Sequence, residues 1–176
     1  MFKKLISAGI LAVAAFSASA NTTIEVPDGG SSGVQTFTFT FGSDFDGDIT
    51  FGVSNEGDTG VESTLTLFDF FGSSLVLNTS DGADTSAYLN SLGEAGTTGD
   101  LLTLGSYSAL AGDIFTFDWE FSTIDYAPFN DFAFVDVGGD YFVLAEISAV
   151  PEPSTLMMYM SGLIVFAAAV KRRKLR

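Results

Sequence analysis

Strict alternation of aromatic and polar residues is the feature that most restricts the fold of this chain. In residues 36–41 three phenylalanines alternate with three threonines, and in residues 115–121 Phe, Phe, Trp and Phe alternate with Thr, Asp and Glu. Successive side chains of a β-strand point to opposite faces, so each run predicts a strand with one apolar and one polar face. The aromatic faces are expected to lie in a core rather than in a ligand groove.

Similar runs continue this pattern through the region 21–149. Further strands are predicted at residues 49–53, 63–71, 74–77, 101–104, 132–137 and 141–148, a short helical turn at 87–92 and a loop at 93–99. The pair Asp46-Gly47 is common in hairpins and is predicted to form the turn before the strand 49–53. About eight short strands separated by Gly, Asp, Asn and Ser predict an all-β fold, an antiparallel β-sandwich or jelly roll.

Charge is distributed very unevenly along the chain. The region 21–149 holds 21 of the 22 acidic residues and no Lys or Arg. Salt bridges between its side chains are therefore excluded, and nucleic acid is excluded as a partner because phosphate binding requires basic side chains. The region is also rich in Phe, Leu, Val and Ile, so it is expected to fold as one domain with a buried core.

The residue types that are missing restrict catalysis. The chain has no His and no Cys, which excludes a Ser-His-Asp triad, an imidazole metal ligand and a thiol nucleophile. The remaining catalytic candidate is the pair Asp118 and Glu120, two carboxylates on one strand face that could act on a glycosidic bond. Acids at alternate positions are common on solvated strand faces, so the domain is predicted not to be an enzyme.

Two acidic stretches are candidates for a calcium site, because Ca²⁺ prefers oxygen ligands. Each stretch holds three oxygen-bearing side chains: Asp44, Asp46 and Asp48 in the first, and Asp125, Asn130 and Asp131 in the second. The alternative for the first stretch is an acidic turn with loosely held counterions. The alternative for the second is a loop whose Asn and Asp side chains hydrogen-bond to nearby backbone groups.

Aromatic side chains offer a third kind of site, for stacking on sugars. The candidates are Trp119, Tyr107, Tyr126 and Tyr141. The alternation places Trp119 on the core face of its strand, whereas Tyr126 lies in a predicted loop and is the better candidate for an exposed ring. These residues make a carbohydrate-binding module an alternative function.

The first twenty residues have the three parts of a secretory signal peptide. Lys3 and Lys4 give a positive start, an apolar run follows, and the small residues 18–20 precede a cleavage site. Signal peptidase is expected to cleave between Ala20 and Asn21 and so to leave the following domain exported. The alternative is an uncleaved N-terminal anchor.

The region 150–176 consists of three consecutive blocks. The first is a proline-fixed, extended motif made of Val150, Pro151, Glu152 and Pro153. The apolar segment 155–170 carries no charge and, as a transmembrane helix, would span roughly 24 Å of the ~30 Å hydrocarbon layer. The basic tail 171–176, which is expected to stay in the cytoplasm, begins with Lys171, Arg172, Arg173 and Lys174.

The order and spacing of these blocks resemble the PEP-CTERM sorting signal of Gram-negative bacteria. The resemblance implies that an exosortase recognises the motif and cleaves near it, and that the protein is linked to exopolysaccharide, biofilm or floc. Before cleavage the tail helix would anchor the precursor in the inner membrane; the alternative is an anchor that is never cleaved. The resemblance covers only the tail and assigns no family to the domain 21–149.

Together these features predict an exported, exosortase-processed protein of the cell surface or extracellular matrix. Its expected role is structural or adhesive within exopolysaccharide, with Ca²⁺ as the one candidate cofactor. The alternatives are a carbohydrate-binding module and a glycosidase that acts on polysaccharide through Asp118 and Glu120.

Overall fold

The alternating runs form strands in the computed structural model, which describes residues 22–57 and 62–148. These ranges contain ten strands: β1 (Ile24–Val26), β2 (Gln35–Thr40), β3 (Phe45–Ser54), β4 (Ser63–Phe70), β5 (Ser73–Asn78), β6 (Ala83–Asp84), β7 (Thr98–Ala109), β8 (Ile114–Thr123), β9 (Phe132–Val137) and β10 (Asp140–Ile147). A 3-10 helix spans Thr79–Asp81, and one α-helix, α1, spans Ser86–Leu92. The predicted all-β class is confirmed.

The two predicted targeting segments lie outside the described residues. They are the signal peptide, with its cleavage site at Ala20 and Asn21, and the region 150–176 with its motif, apolar segment and basic tail. Helix α1 has seven residues. Within residues 22–57 and 62–148, no helix has both the length and the apolar character needed to cross a membrane.

The strands are arranged in two sheets. The order is β1-β10-β9-β3-β7-β6 in the six-stranded sheet and β2-β8-β4-β5 in the four-stranded sheet. Neighbouring strands are antiparallel, except that the edge strand β1 pairs with β10 in parallel. The predicted sandwich is present, and the parallel edge pair is an addition that alternation alone does not predict. This strand order does not establish a jelly roll.

Aromatic side chains from both sheets fill the space between them. Phe37 of β2 stacks on Phe117 of β8 with ring centroids 5.1 Å apart, and Phe51 of β3 meets Phe117 edge-on at 5.0 Å. Offset and edge-on ring pairs of this kind add to the stabilisation that burial provides. The aromatic faces of the two alternating runs are buried as predicted: Phe37, Phe39, Phe41, Phe115, Phe117, Trp119 and Phe121.

The prediction of a hairpin turn at Asp46-Gly47 is wrong. Both residues lie inside β3, where Gly47 pairs with Tyr107 of β7, and the register shifts between Gly47 and Ile49. The preceding strand β2 belongs to the other sheet, so the connection passes between sheets instead of folding back within one. The turn preference of the Asp-Gly pair is overridden because the apolar side of β3 has to face the core.

Helix α1 covers a second, smaller core on the outer face of the six-stranded sheet. Leu89 of the helix is fully buried and packs with Phe132 and Phe134 of β9. A Cβ atom at Gly52 would lie 2.3 Å from the Phe134 ring, so glycine is needed in β3 for this ring to pack. The helix is one residue longer than the predicted turn and ends at Gly93, whose φ of 85° requires glycine.

Candidate functional site

Asp118 and Glu120 lie on the outer face of the four-stranded sheet, as the alternation in β8 predicts. Thr36 of β2 donates a hydrogen bond from its hydroxyl to Asp118 Oδ1 at 2.6 Å, and Ser31 donates one to Glu120 Oε1 at 2.5 Å. Between the two acids, Trp119 points inward and is 4% exposed. Both carboxylates are therefore bound by neighbouring hydroxyls on a strand face, which is common for surface acids.

The acidic stretch at the start of β3 contacts successive positions along β7. Asp46 Oδ1 accepts a hydrogen bond from Ser108 Oγ at 3.2 Å, and Asp48 Oδ1 accepts one from the backbone N–H of Ser106 at 3.1 Å. Asp44 Oδ1 accepts one at 3.0 Å from a backbone N–H just beyond β7. These carboxylates are therefore spread along the strand pair and help to hold β3 against β7.

The second predicted stretch is divided between the surface and a buried polar cluster. Asn130 is exposed, whereas Asp125 and Asp131 are fully buried. Ser63 donates to Asp131 Oδ2 at 2.5 Å. Asn55, with its amide nitrogen turned towards Asp131, donates to both carboxylate oxygens at 3.0 and 3.1 Å. Asp131 thus accepts hydrogen bonds from the end of β3 and the start of β4, which lie in different sheets.

Among residues 22–57 and 62–148, no group of three or more acidic side chains is placed to hold a metal ion. The structure therefore does not bring Asp44, Asp46 and Asp48 together as a set of ligands. In the second stretch it separates the exposed Asn130 from the buried Asp131. Calcium binding by the acidic domain stays a prediction.

Sequence reasoning misses most of the buried cluster around Asp131. Ser63 Oγ lies 2.6 Å from Thr123 Oγ1 of β8, and the backbone N–H of Ser63 donates to Thr79 Oγ1 at 2.9 Å. Ser63 and Thr123 are 60 positions apart along the chain. The only local signal is a small polar residue at a strand end, which is too common to identify a cluster.

The aromatic candidates for sugar contact divide between core and surface. Trp119 is buried, as predicted, and Tyr107 packs against Phe115 with ring centroids 5.4 Å apart. Tyr126 is 54% exposed, and its ring meets Phe129 edge-on at 5.6 Å. The prediction that Tyr126 is an exposed ring is confirmed.

Tyr141 and Tyr88 both belong to the small core beneath α1, but their hydroxyls differ. Tyr88 Oη donates to Asp136 Oδ2 at 2.7 Å, whereas Tyr141 Oη is buried without a hydrogen-bond partner. Burial raises the pKa of Tyr141 well above its usual range. Burial and the hydrogen bond to Asp136 raise the pKa of Tyr88 to about 12.

Replacing Tyr141 by phenylalanine is expected to raise the free energy of unfolding by about 1–2 kcal/mol, because an unsatisfied buried hydroxyl is removed. The matched change Tyr88→Phe is expected to lower it by about 1 kcal/mol, because a hydrogen bond to the Asp136 carboxylate is lost. Urea unfolding of the full-length protein, followed by the fluorescence of the single tryptophan, Trp119, measures both. Equal losses of stability in the two variants would contradict the difference between the hydroxyls.

Raising the pH above about 10 should lower the stability of the fold through the same two tyrosines. The folded-state pKa values of Tyr88 and Tyr141 are raised, so the neutral phenols stabilise the fold fully below the unfolded pKa of about 10. Above that pH the unfolded chain releases protons first, and stability is expected to fall towards the folded pKa of Tyr88, about 12. The Tyr141→Phe variant should show a smaller loss over this range in the same urea experiment.

The surface beside Phe71 forms a groove that the sequence does not predict. The predicted strand 63–71 includes Phe71 as its last residue. In the structure β4 ends at Phe70, and Phe71 begins the turn to β5. Phe71 is 77% exposed and has a φ of 51°, which is rare for a bulky residue. The Phe71 groove has a volume of about 250 Å³, and its lining includes Asp69, Phe70, Phe71, Tyr107, Ile114 and Thr116.

The described ranges thus form a two-sheet, all-β domain. Beyond them, residues 149–174 match the family model described as the PEP-CTERM protein-sorting motif. The chain therefore carries a PEP-CTERM sorting motif, as its tail indicates, and is an exosortase-targeted protein. Such a motif indicates a secreted protein made as a membrane-anchored precursor and processed by exosortase. Comparison with curated proteins and with solved structures finds no match.

Proposed function

We propose that this protein is a non-enzymatic, structural or adhesive component of an exopolysaccharide matrix, such as that of a biofilm or floc. The sorting motif supports a route that begins with export and membrane anchoring and continues with exosortase cleavage. After cleavage the β-sandwich acts at the cell surface or within the matrix. The outer-face acids Asp118 and Glu120 have no catalytic role in this proposal.

The observation that carries this proposal is a two-sheet domain with only acidic charges on a chain that bears a sorting motif. Residues 21–149 contain 21 acids and no Lys or Arg. Burial raises the pKa of Glu56, and the nearby carboxylates of Glu146 and Glu94 raise it further. Compensating positive charge has to come from outside the domain, as cations or as a cationic polymer. In this proposal, the hydrated polysaccharide matrix is the source of that charge.

A carbohydrate-binding module is a second candidate function, favoured by exposed aromatic rings. Tyr126 and Phe71 are 54% and 77% exposed, and Phe71 borders a groove of about 250 Å³. Exposed rings of this kind are often parts of binding surfaces, because burying them in water-free contact is favourable. The two candidates are compatible, since an adhesive matrix protein needs a surface that contacts the polymer.

Deletion of the gene in its native host tests the matrix role. We expect the amount or cohesion of biofilm or floc to change while growth in dispersed culture stays the same. Complementation with the wild-type gene should restore the matrix. An unaltered matrix in the deletion strain, measured as polysaccharide per cell and as resistance to shear, would overturn the proposed function.

A further inference from the structure

The turn between β4 and β5 holds two non-glycine residues in the left-handed region. Asp69 has a φ of 46° and Phe71 a φ of 51°, and Gly72 follows with a φ of 84°. Asp tolerates this conformation, whereas a bulky aromatic residue is strained in it. Phe71 is also 77% exposed, so burial contributes little to keeping it there. Folding alone therefore does not account for a phenylalanine at this position.

The Phe71 groove lies where the four-stranded sheet is incomplete. Strand β4 pairs with β8 from Ser63 opposite Thr123 to Phe68 opposite Asp118, and the pairing ends there. Residues 114–117 of β8 pair with β2 on one side only. Alternate backbone groups of a strand point to each side, so this stretch of β8 presents peptide groups to the groove. A ligand in the groove would meet these groups as well as aromatic rings.

The walls of the groove combine apolar surface with a single kind of charge. Phe70 and Phe71 meet edge-on with centroids 4.8 Å apart, and Ile114 is 63% exposed beside them. Asp69 also lines the groove. Because residues 21–149 contain no basic side chain, a polymer of uronic acids would find only like charge here. A neutral or positively charged ring is the complementary ligand.

We propose that the Phe71 groove binds a pyranose ring of an amino sugar in the polysaccharide, with the ring on Phe71 and its ammonium group beside Asp69. An aromatic face attracts both apolar C–H groups and cations, and the carboxylate adds charge complementarity. The inference rests on the proposed function, since it names the matrix component that the domain contacts. It also gives a reason for the strained Phe71, which places an exposed ring next to a carboxylate.

Binding of three oligosaccharides of equal length to the full-length protein in detergent tests this inference. The probes are oligomers of glucosamine, of N-acetylglucosamine and of galacturonate, compared by titration calorimetry at a mildly acidic pH that protonates the amines. We expect the glucosamine oligomer to bind most tightly, the N-acetylated oligomer more weakly, and galacturonate not to bind. Equal binding of all three, or none by any, would overturn the proposal.

Four variants separate recognition from folding. Phe71→Ala is expected to weaken binding of the glucosamine oligomer about tenfold or more. Phe71→Gly should lose binding while the protein becomes more resistant to urea, because glycine adopts this φ freely. Asp69→Asn, which keeps a residue tolerant of this backbone, should abolish the preference for the free amine. Val76→Ala, at an exposed position of β5, is the control and should leave binding unchanged.

The outcomes distinguish this inference from the proposed function. Wild-type affinity in Phe71→Ala would rule out the groove as the binding site, even if deletion of the gene alters the matrix. Binding that depends on Phe71 and Asp69, combined with an unaltered matrix in the deletion strain, would retain the amino-sugar site and refute the matrix role.

Discussion

Replacing Asp131 by alanine is expected to lower the free energy of unfolding by roughly 2–5 kcal/mol. Asp131 is fully buried. Its carboxylate accepts a hydrogen bond from Ser63 at 2.5 Å, and both of its oxygens accept from the Asn55 amide nitrogen at 3.0 and 3.1 Å. Without the carboxylate, the buried donors of Ser63 and Asn55 lose a partner, and each such loss costs about 1–3 kcal/mol. Small domains are stable by only about 5–15 kcal/mol, so this single change should be severe.

The measurement is urea unfolding of the full-length protein, followed by Trp119 fluorescence. Trp119 is the only tryptophan and is buried between the sheets, so its emission reports on the core. The matched control is Asp140→Ala, which removes an exposed acid at the start of β10 and should change stability by less than about 0.5 kcal/mol. Equal stabilities of the two variants would show that the buried cluster does not hold the sheets together.

Gly99→Ala is expected to destabilise the domain by about 3 kcal/mol or more. A Cβ atom at Gly99 would lie 2.0 Å from the backbone oxygen of Val53 and 2.9 Å from the Cα of Ser54. Backbone atoms cannot rotate away as a side chain can, so the pairing of Gly99 with Ser54 has to move. Strand β3 also pairs with β9, and a shift of its backbone would disturb the centre of the six-stranded sheet.

The same strand provides the control for this change. At Gly105, also in β7, an added Cβ atom would meet only Asp48 Oδ1, at an ordinary distance of 3.7 Å. Gly105→Ala is therefore expected to be neutral or slightly stabilising, because alanine reduces the freedom of the unfolded chain. Urea unfolding compares the two variants directly, and a similar loss of stability in both would contradict the close backbone contact at Gly99.

Local alternation predicts the central strands well because burial acts on every second residue. In β2 and β8 the aromatic positions are all on the core side, so sequence period and packing agree. The short strands β1 and β6 escape prediction, since two or three residues are too few for a period. The prediction of a turn at Asp46-Gly47 is wrong for a different reason: pairing with the distant strand β7 overrides the local turn preference.

The candidate sites are harder to predict than the strands because their residues come together from distant parts of the chain. Asp131 meets Asn55 and Ser63 across the two sheets, although it is 68 positions from Ser63 along the chain. Phe71 is misread as the last residue of a strand, because an apolar run does not show where pairing ends. The sorting motif is the opposite case: it is a continuous segment, so its residues alone identify it.

The most direct test of the central claim is to locate the protein in its native host and determine its mature termini by mass spectrometry. A matrix protein delivered by the sorting motif should be found in the cell-surface or matrix fraction, cleaved near Pro151-Glu152-Pro153 and without the basic tail. In a strain that lacks exosortase, the uncleaved form should remain with the membrane. Full-length protein in the membrane of both strains, with no cleaved form in the matrix, would contradict delivery to the matrix by this route.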